Sequence, residues 1–147
     1  MTRAVRGADT VAAAVRGAEA SAGAATRGAR LVVGVGCSLG CADEELRALV
    51  AAALAAARGT VVGVATVDRR AHEPCVIALA AQLGVPIDTF PAAALAEVEV
   101  PTPSDTVAHH VGTPSVAEAA ALLATRGELV ITKQRSAHAT CAIAKET

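Results

Sequence analysis

Aromatic side chains are nearly missing: there is no Trp and no Tyr, and Phe90 supplies the whole aromatic content of 1%. Proteins that grip single-stranded nucleic acid stack its bases on aromatic rings, so that mode is excluded and a flat ligand has to lie on aliphatic groups. A charge excess is missing as well. Thirteen Lys and Arg stand against fourteen Asp and Glu, a formal net charge of -1, which leaves no basic field for a polyanion. We therefore expect no nucleic-acid partner. Long apolar runs are also absent. The hydrophobic fraction of 53% is inflated by alanine, and no stretch reaches the roughly 20 apolar residues that a membrane-spanning helix needs. The first residues lack the short apolar core of a secretory signal. The expectation is a cytoplasmic protein without a membrane partner, in which Cys37, Cys41, Cys75 and Cys141 are reduced thiols rather than a disulfide framework.

A chain of 147 residues suits one domain with its own core. Residues 1–30 hold Val5, Val11 and Val15 as their larger aliphatics, with Gly7, Gly17, Gly23 and Gly28 interrupting the alanines. They cannot bury much, and we read them as a flexible Ala/Gly/Arg-rich extension to a domain at 31–147. The domain opens on the apolar run LVVGV at 31–35, a buried strand. Asp43, Glu44 and Glu45 then start a helix, and Leu46, Leu49, Val50, Ala53, Leu54 and Ala57 repeat at helical spacing up to Gly59. Strand candidates follow at 60–67 and 85–90, separated by a helix from Pro74 to a stop at Gly84. Short helices are expected near 92–97 and 104–111, with the two prolines between 98 and 103 marking irregular chain. His109 and His110 would point about 100° apart on a helix and make a poor chelating pair. Ser115 with Glu118 fits a capping box for a further helix ending before Gly127. Strands at 128–132 and 139–144 lie too close for a crossover, so they form an antiparallel hairpin. The fold class expected is α/β: a three-layer sandwich with a mostly parallel mixed sheet of about five strands and a C-terminal antiparallel hairpin.

In such sheets ligands bind outside the carboxyl ends of the parallel strands. That rule gathers Gly36, Cys37 and Gly40 with Asp68, Arg69, Arg70 and Glu73, and adds Lys133, Gln134, Arg135 and Ser136 if the 128 strand is parallel too. The turn GVGCSLGC at 34–41 offers bare amides beside a helix start, although it matches neither the dinucleotide fingerprint nor a P-loop. It is read equally as a tight turn that needs glycine. Arg69, Arg70, Lys133 and Arg135 are the stronger feature. Arginine takes a carboxylate through two parallel hydrogen bonds and lysine adds a point charge, so together they match a ligand with several carboxylates. Thr113 and Ser115 add a hydroxyl-rich helix start, for which capping is the simpler reading. Cys37, Cys41, His72 and Cys75 are a weaker metal-binding alternative, because a single CxxxC lacks a second pair. We assign no metal. Cys37 near a helix start is a conceivable nucleophile with a lowered pKa, but no base can be named for it, and no catalytic residue is assigned.

Four segments in order carry a resemblance: GVGCSLG at 34–40, TVDRRAHEP at 66–74, VGTPSVAEAAAL at 111–122 and KQRSAHATCAIAK at 133–145. Together they resemble the cobalamin-biosynthesis CobE / CbiG C-terminal family over about residues 31 to 145. Ser38 and Leu39 depart from that pattern, which usually has basic residues after the cysteine. His72 stands where an acid is common, and His138 where Asn is common. The resemblance implies a role in building the corrin ring, whose intermediates carry many acetate and propionate carboxylates. A corrinoid or precorrin intermediate is then the expected partner, with other cobalamin-pathway enzymes as further partners and no cofactor. Residues 1–30 are too short for the N-terminal portion of CbiG proteins, so the chain is read as a free-standing CobE-like accessory protein. The alternative is a cobalt-precorrin-5A hydrolase that opens a lactone and releases acetaldehyde together with a separate partner. Whether the chain is an enzyme stays open at this point.

Overall fold

β1 (Arg30–Cys37) runs through the middle of the molecule because its apolar residues have a helix layer to meet on each side. Leu31, Val33 and Val35 point to one side and join Leu46, Val50 and Ala53 of α1 (Asp43–Ala55) and Val76 and Leu79 of α2 (Pro74–Leu83). Val32 points to the other, where it meets Ala65 and Val67 of β2 (Thr60–Val67), Leu95 of α3 (Ala92–Ala96), and Ala119 and Ala120 of α4 (Val116–Thr125). The computed structural model describes residues 29–100 and 115–146. The extension read for 1–30 therefore lies almost wholly outside the described residues, as do the helix expected at 104–111, His109, His110 and Thr113.

Two more parallel pairings and a hairpin complete the sheet. β2 lies parallel to β1, and β3 (Ile87–Phe90) parallel to β2. β4 (Glu128–Arg135) and β5 (Ala139–Lys145) pair antiparallel, and β5 is antiparallel to β1. The order is β3-β2-β1-β5-β4, so β4 runs in the direction of β1 and β5 alone opposes the other four. This is the expected three-layer α/β sandwich with a mixed, mostly parallel sheet.

The helix boundaries follow their chemistry. Pro74 occupies the first turn of α2, and Gly84 ends it with φ 71. α4 begins where Ser115 accepts a hydrogen bond from the Glu118 N–H at 3.4 Å. The alanines of α4 leave little side chain between helix and sheet. A Cβ built on Gly34 would lie 2.0 Å from the Ala117 carbonyl oxygen, so the backbones of β1 and α4 touch there and only glycine fits.

Two strands outrun their expected ends. β1 continues through Gly36 and Cys37 because these pair with Thr140 and Ala139 of β5, so Gly34 and Gly36 are strand residues and the turn proper is Ser38 to Gly40. β4 continues through Lys133, Gln134 and Arg135, which were expected in the hairpin loop. Its register against β5 shifts twice, between Leu129 and Ile131 and between Ile131 and Gln134. Extra residues of this kind are β-bulges, and they break the alternation by which a strand is recognised in sequence.

Candidate functional site

Since β4 shares the direction of β1, β2 and β3, the carboxyl ends of four strands meet at one edge of the sheet. β1 delivers Gly36 and Cys37, both half-buried, and leads into Gly40. β2 ends in a 3-10 turn, Asp68–Arg70, followed by Glu73 at the start of α2. β4 delivers Lys133, Gln134 and Arg135, and Ser136 opens the hairpin loop.

The first two groups are in direct contact. Arg70 Nε donates to the Cys37 carbonyl at 2.8 Å, and the Gly40 N–H donates to Glu73 Oε1 at 3.1 Å. Gly40 adopts φ 76, the left-handed region that glycine enters without strain. The turn thus holds a carboxylate, as its bare amides suggested, and the carboxylate is the chain's own. Two further amides are also engaged, Ser38 N–H to the His138 carbonyl and Cys41 N–H to the Ser38 carbonyl.

The hairpin loop is tied to the same edge by Glu45, a residue that the sequence marked only as a first-turn acid. Its carboxylate accepts hydrogen bonds from the Ser136 hydroxyl and, at 2.6 Å, from the His138 N–H, with His138 Nδ1 3.0 Å from its other oxygen. These bonds, the Ser136 hydroxyl first, hold the Glu45 carboxyl down from 4.5 to about 2. A depressed folded-state pKa stabilises the fold above the unfolded value near 4.5, and that contribution is lost as pH falls through about 2. Ser136→Ala should return the Glu45 carboxyl toward 4.5, read from the pH titration of its carboxyl carbon by NMR. An unchanged midpoint would mean that the hydroxyl does not hold it.

The thiols run against activation. Burial pushes Cys37 upward and raises Cys41 and Cys75 to about 11. Cys141 reaches about 12 for the same reason. The lowered Cys37 pKa that a helix start suggested is therefore overturned: the thiol sits at the end of β1 beside Cys75, and desolvation outweighs the Arg70 charge. All four cysteines are free.

The remaining residues divide by role. Ser136 spends its hydroxyl on Glu45, and Gln134 Nε2 donates to the Thr132 and Lys133 carbonyls at 3.1 and 3.4 Å. Ser115 is buried and caps α4, the simpler of its two readings. Asp68 and Arg69 are exposed beside Arg70, and Arg135 is exposed at the far end of the edge. Among the described residues none of Arg69, Arg70, Lys133 and Arg135 is in an ion pair. From β2 to β4 is three strand spacings, about 14 Å. Glu118 had been read as the acid of a capping box. Its side chain instead turns inward, fully buried, and accepts the Lys133 N–H at 2.8 Å.

The three-layer α/β fold is shared with known proteins of one pathway. The sequence model of the cobalamin synthesis G C-terminus family matches residues 31–144, and the chain belongs to that family as a cobalamin-biosynthesis protein of the CobE/CbiG type. Its likeness to CobE is the more specific one. The protein CobE of Sinorhizobium sp is 42% identical over 124 residues, 80% of each chain. The crystal structure of CobE, a protein from the cobalamin (vitamin B12) biosynthetic pathway, superposes with a TM-score of 0.74 at 30% identity, covering 82% of this chain and 92% of that one. The cobalamin biosynthesis protein chiG of Agrobacterium tumefaciens str. C58 gives 0.57 at 29% identity, with 80% and 98% covered. Among the described residues no helix is long and apolar enough to cross a membrane.

Proposed function

We propose that the chain binds a carboxylate-rich corrinoid or precorrin intermediate at the carboxyl edge of its sheet, as a CobE-like accessory protein in the cytoplasm. The observation that carries this reading is the row Arg69, Arg70, Lys133 and Arg135, whose charges have no ion-pair partner among the described residues. A cation held without a carboxylate is ready to take one from a ligand, and charge-assisted pairs are the stronger hydrogen bonds. A corrin carries its acid arms around the rim of a disc, and a row about 14 Å long can engage several arms at once. The scarcity of aromatic rings fits a disc gripped at its rim rather than stacked on its face.

Arg69 and Arg135 are exposed, so their removal tests the row with little effect expected on the core. Arg69→Gln and Arg135→Gln should each weaken binding of hydrogenobyrinic acid about five- to tenfold at low salt, near 1 kcal/mol, and the loss should shrink as salt rises. Unchanged affinity in the double variant would place the ligand elsewhere.

A further inference from the structure

At the junction of β1, β2 and α2 lies a second cluster that the corrinoid reading does not use. Cys37 Sγ and Cys75 Sγ are 3.7 Å apart, and a Glu73 carboxylate oxygen lies within 4.8 Å of both sulfurs. We propose that Cys37, Cys75 and Glu73 form a binding site for a thiophilic divalent cation of the zinc class.

The spacing of the sulfurs carries the proposal. Two thiolates each about 2.3 Å from one tetrahedral ion lie about 3.8 Å from each other. The observed 3.7 Å therefore admits an ion with almost no movement of either cysteine. Cys75 is fully buried in the first turn of α2, and Cys37 ends a central strand whose carbonyl is held by Arg70, so both sulfurs sit on rigid elements. Glu73 is placed by the Gly40 N–H. Cys37 and Glu73 are both half-buried and leave a path from solvent.

Ligand chemistry sets the class of ion. Two sulfurs with one carboxylate suit zinc and its neighbours rather than magnesium or calcium, which take oxygen ligands. On binding, two S–H bonds give up their protons to solvent and two metal–sulfur bonds form, with no change of oxidation state. Glu73 takes the place that the sequence had offered to His72, which is exposed and lies outside the cluster.

The test uses the whole reduced chain, stripped with a chelator and titrated with Co(II) in the absence of any tetrapyrrole, so that it stands or falls apart from corrinoid binding. One equivalent should give an intense sulfur-to-cobalt charge-transfer band and tetrahedral d–d bands in the red, both bleached by Zn(II). Cys37→Ser should weaken and shift the band, and Cys75→Ser should do the same. Because Cys75 is a core residue, Glu73→Gln at the half-buried carboxylate provides a second probe, with at least tenfold weaker binding expected. Absence of a charge-transfer band at stoichiometric Co(II), or a band of the same intensity and affinity in Cys37→Ser and Glu73→Gln, overturns the proposal.

Discussion

Gly34→Ala should cost the fold about 3 kcal/mol or more, the upper end of what overpacking a core imposes. The added methyl would stand 2.0 Å from the Ala117 carbonyl oxygen and 2.9 Å from the Ala121 nitrogen. Both are backbone atoms of α4, so no side-chain rotation relieves the clash, and the helix has to lift from β1. Lifting it opens the layer in which Val32, Ala65, Val67 and Leu95 are buried. Gly40→Ala is the matched control. Nothing lies within 4 Å of its Cβ position, and only its φ of 76 resists a side chain, a strain of roughly 1–2 kcal/mol. Urea unfolding of the two variants separates the cases. Equal losses would mean that β1 and α4 are not in backbone contact.

Glu118→Ala should be the next most damaging change, at about 2–3 kcal/mol. The side chain is fully buried, and its oxygen accepts the Lys133 N–H at 2.8 Å. That amide lies where β4 shifts register against β5, between Ile131 and Gln134, so the bulge turns it toward α4 instead of along the ladder. Removing the side chain leaves a half-buried donor without its acceptor and a cavity where the carboxylate was packed. Glu118→Gln keeps an oxygen in the same place and should lose much less. Amide hydrogen exchange reports the event locally: protection at Lys133 should fall in Glu118→Ala and persist in Glu118→Gln. Persistence in both would show that the bond does not hold the bulge.

These two residues also mark how far the sequence could be read. The strand at 60–67 was legible in full, because a central parallel strand is apolar on both faces and needs no partner to be recognised. So were the Pro74 start and Gly84 stop of α2 and the Ser115 cap of α4, since each depends on residues a few positions apart. What escaped depends on distant chain. Gly36 and Cys37 are strand rather than turn because β5 pairs with them. Lys133, Gln134 and Arg135 are strand because a bulged ladder hides its own periodicity. Glu118 satisfied half of a capping box, yet tertiary packing claimed its side chain.

The site divides in the same way. Cys37, Gly40, Arg70 and Glu73 were brought together by one rule about strand ends, and the structure joins Arg70 to Cys37 and Glu73 to Gly40. Glu45 and His138 are 93 positions apart, and nothing local joined them. Cys75 lies 38 residues from Cys37; the sequence grouped both with Cys41 and His72, and the structure sets Cys75 and Glu73 beside Cys37. The position of Arg135 followed from a condition, that the strand from Glu128 run parallel to β1, and β5 meets it by reversing direction between them.

The central claim is that the cationic carboxyl edge takes up a corrinoid. Titrating hydrogenobyrinic acid with the purified chain and following the tetrapyrrole absorbance tests it most directly. A saturable spectral change with one ligand per chain at micromolar protein, weakened by added salt, is the predicted result. A spectrum that stays unchanged at low salt as protein is raised well past the ligand concentration would contradict it.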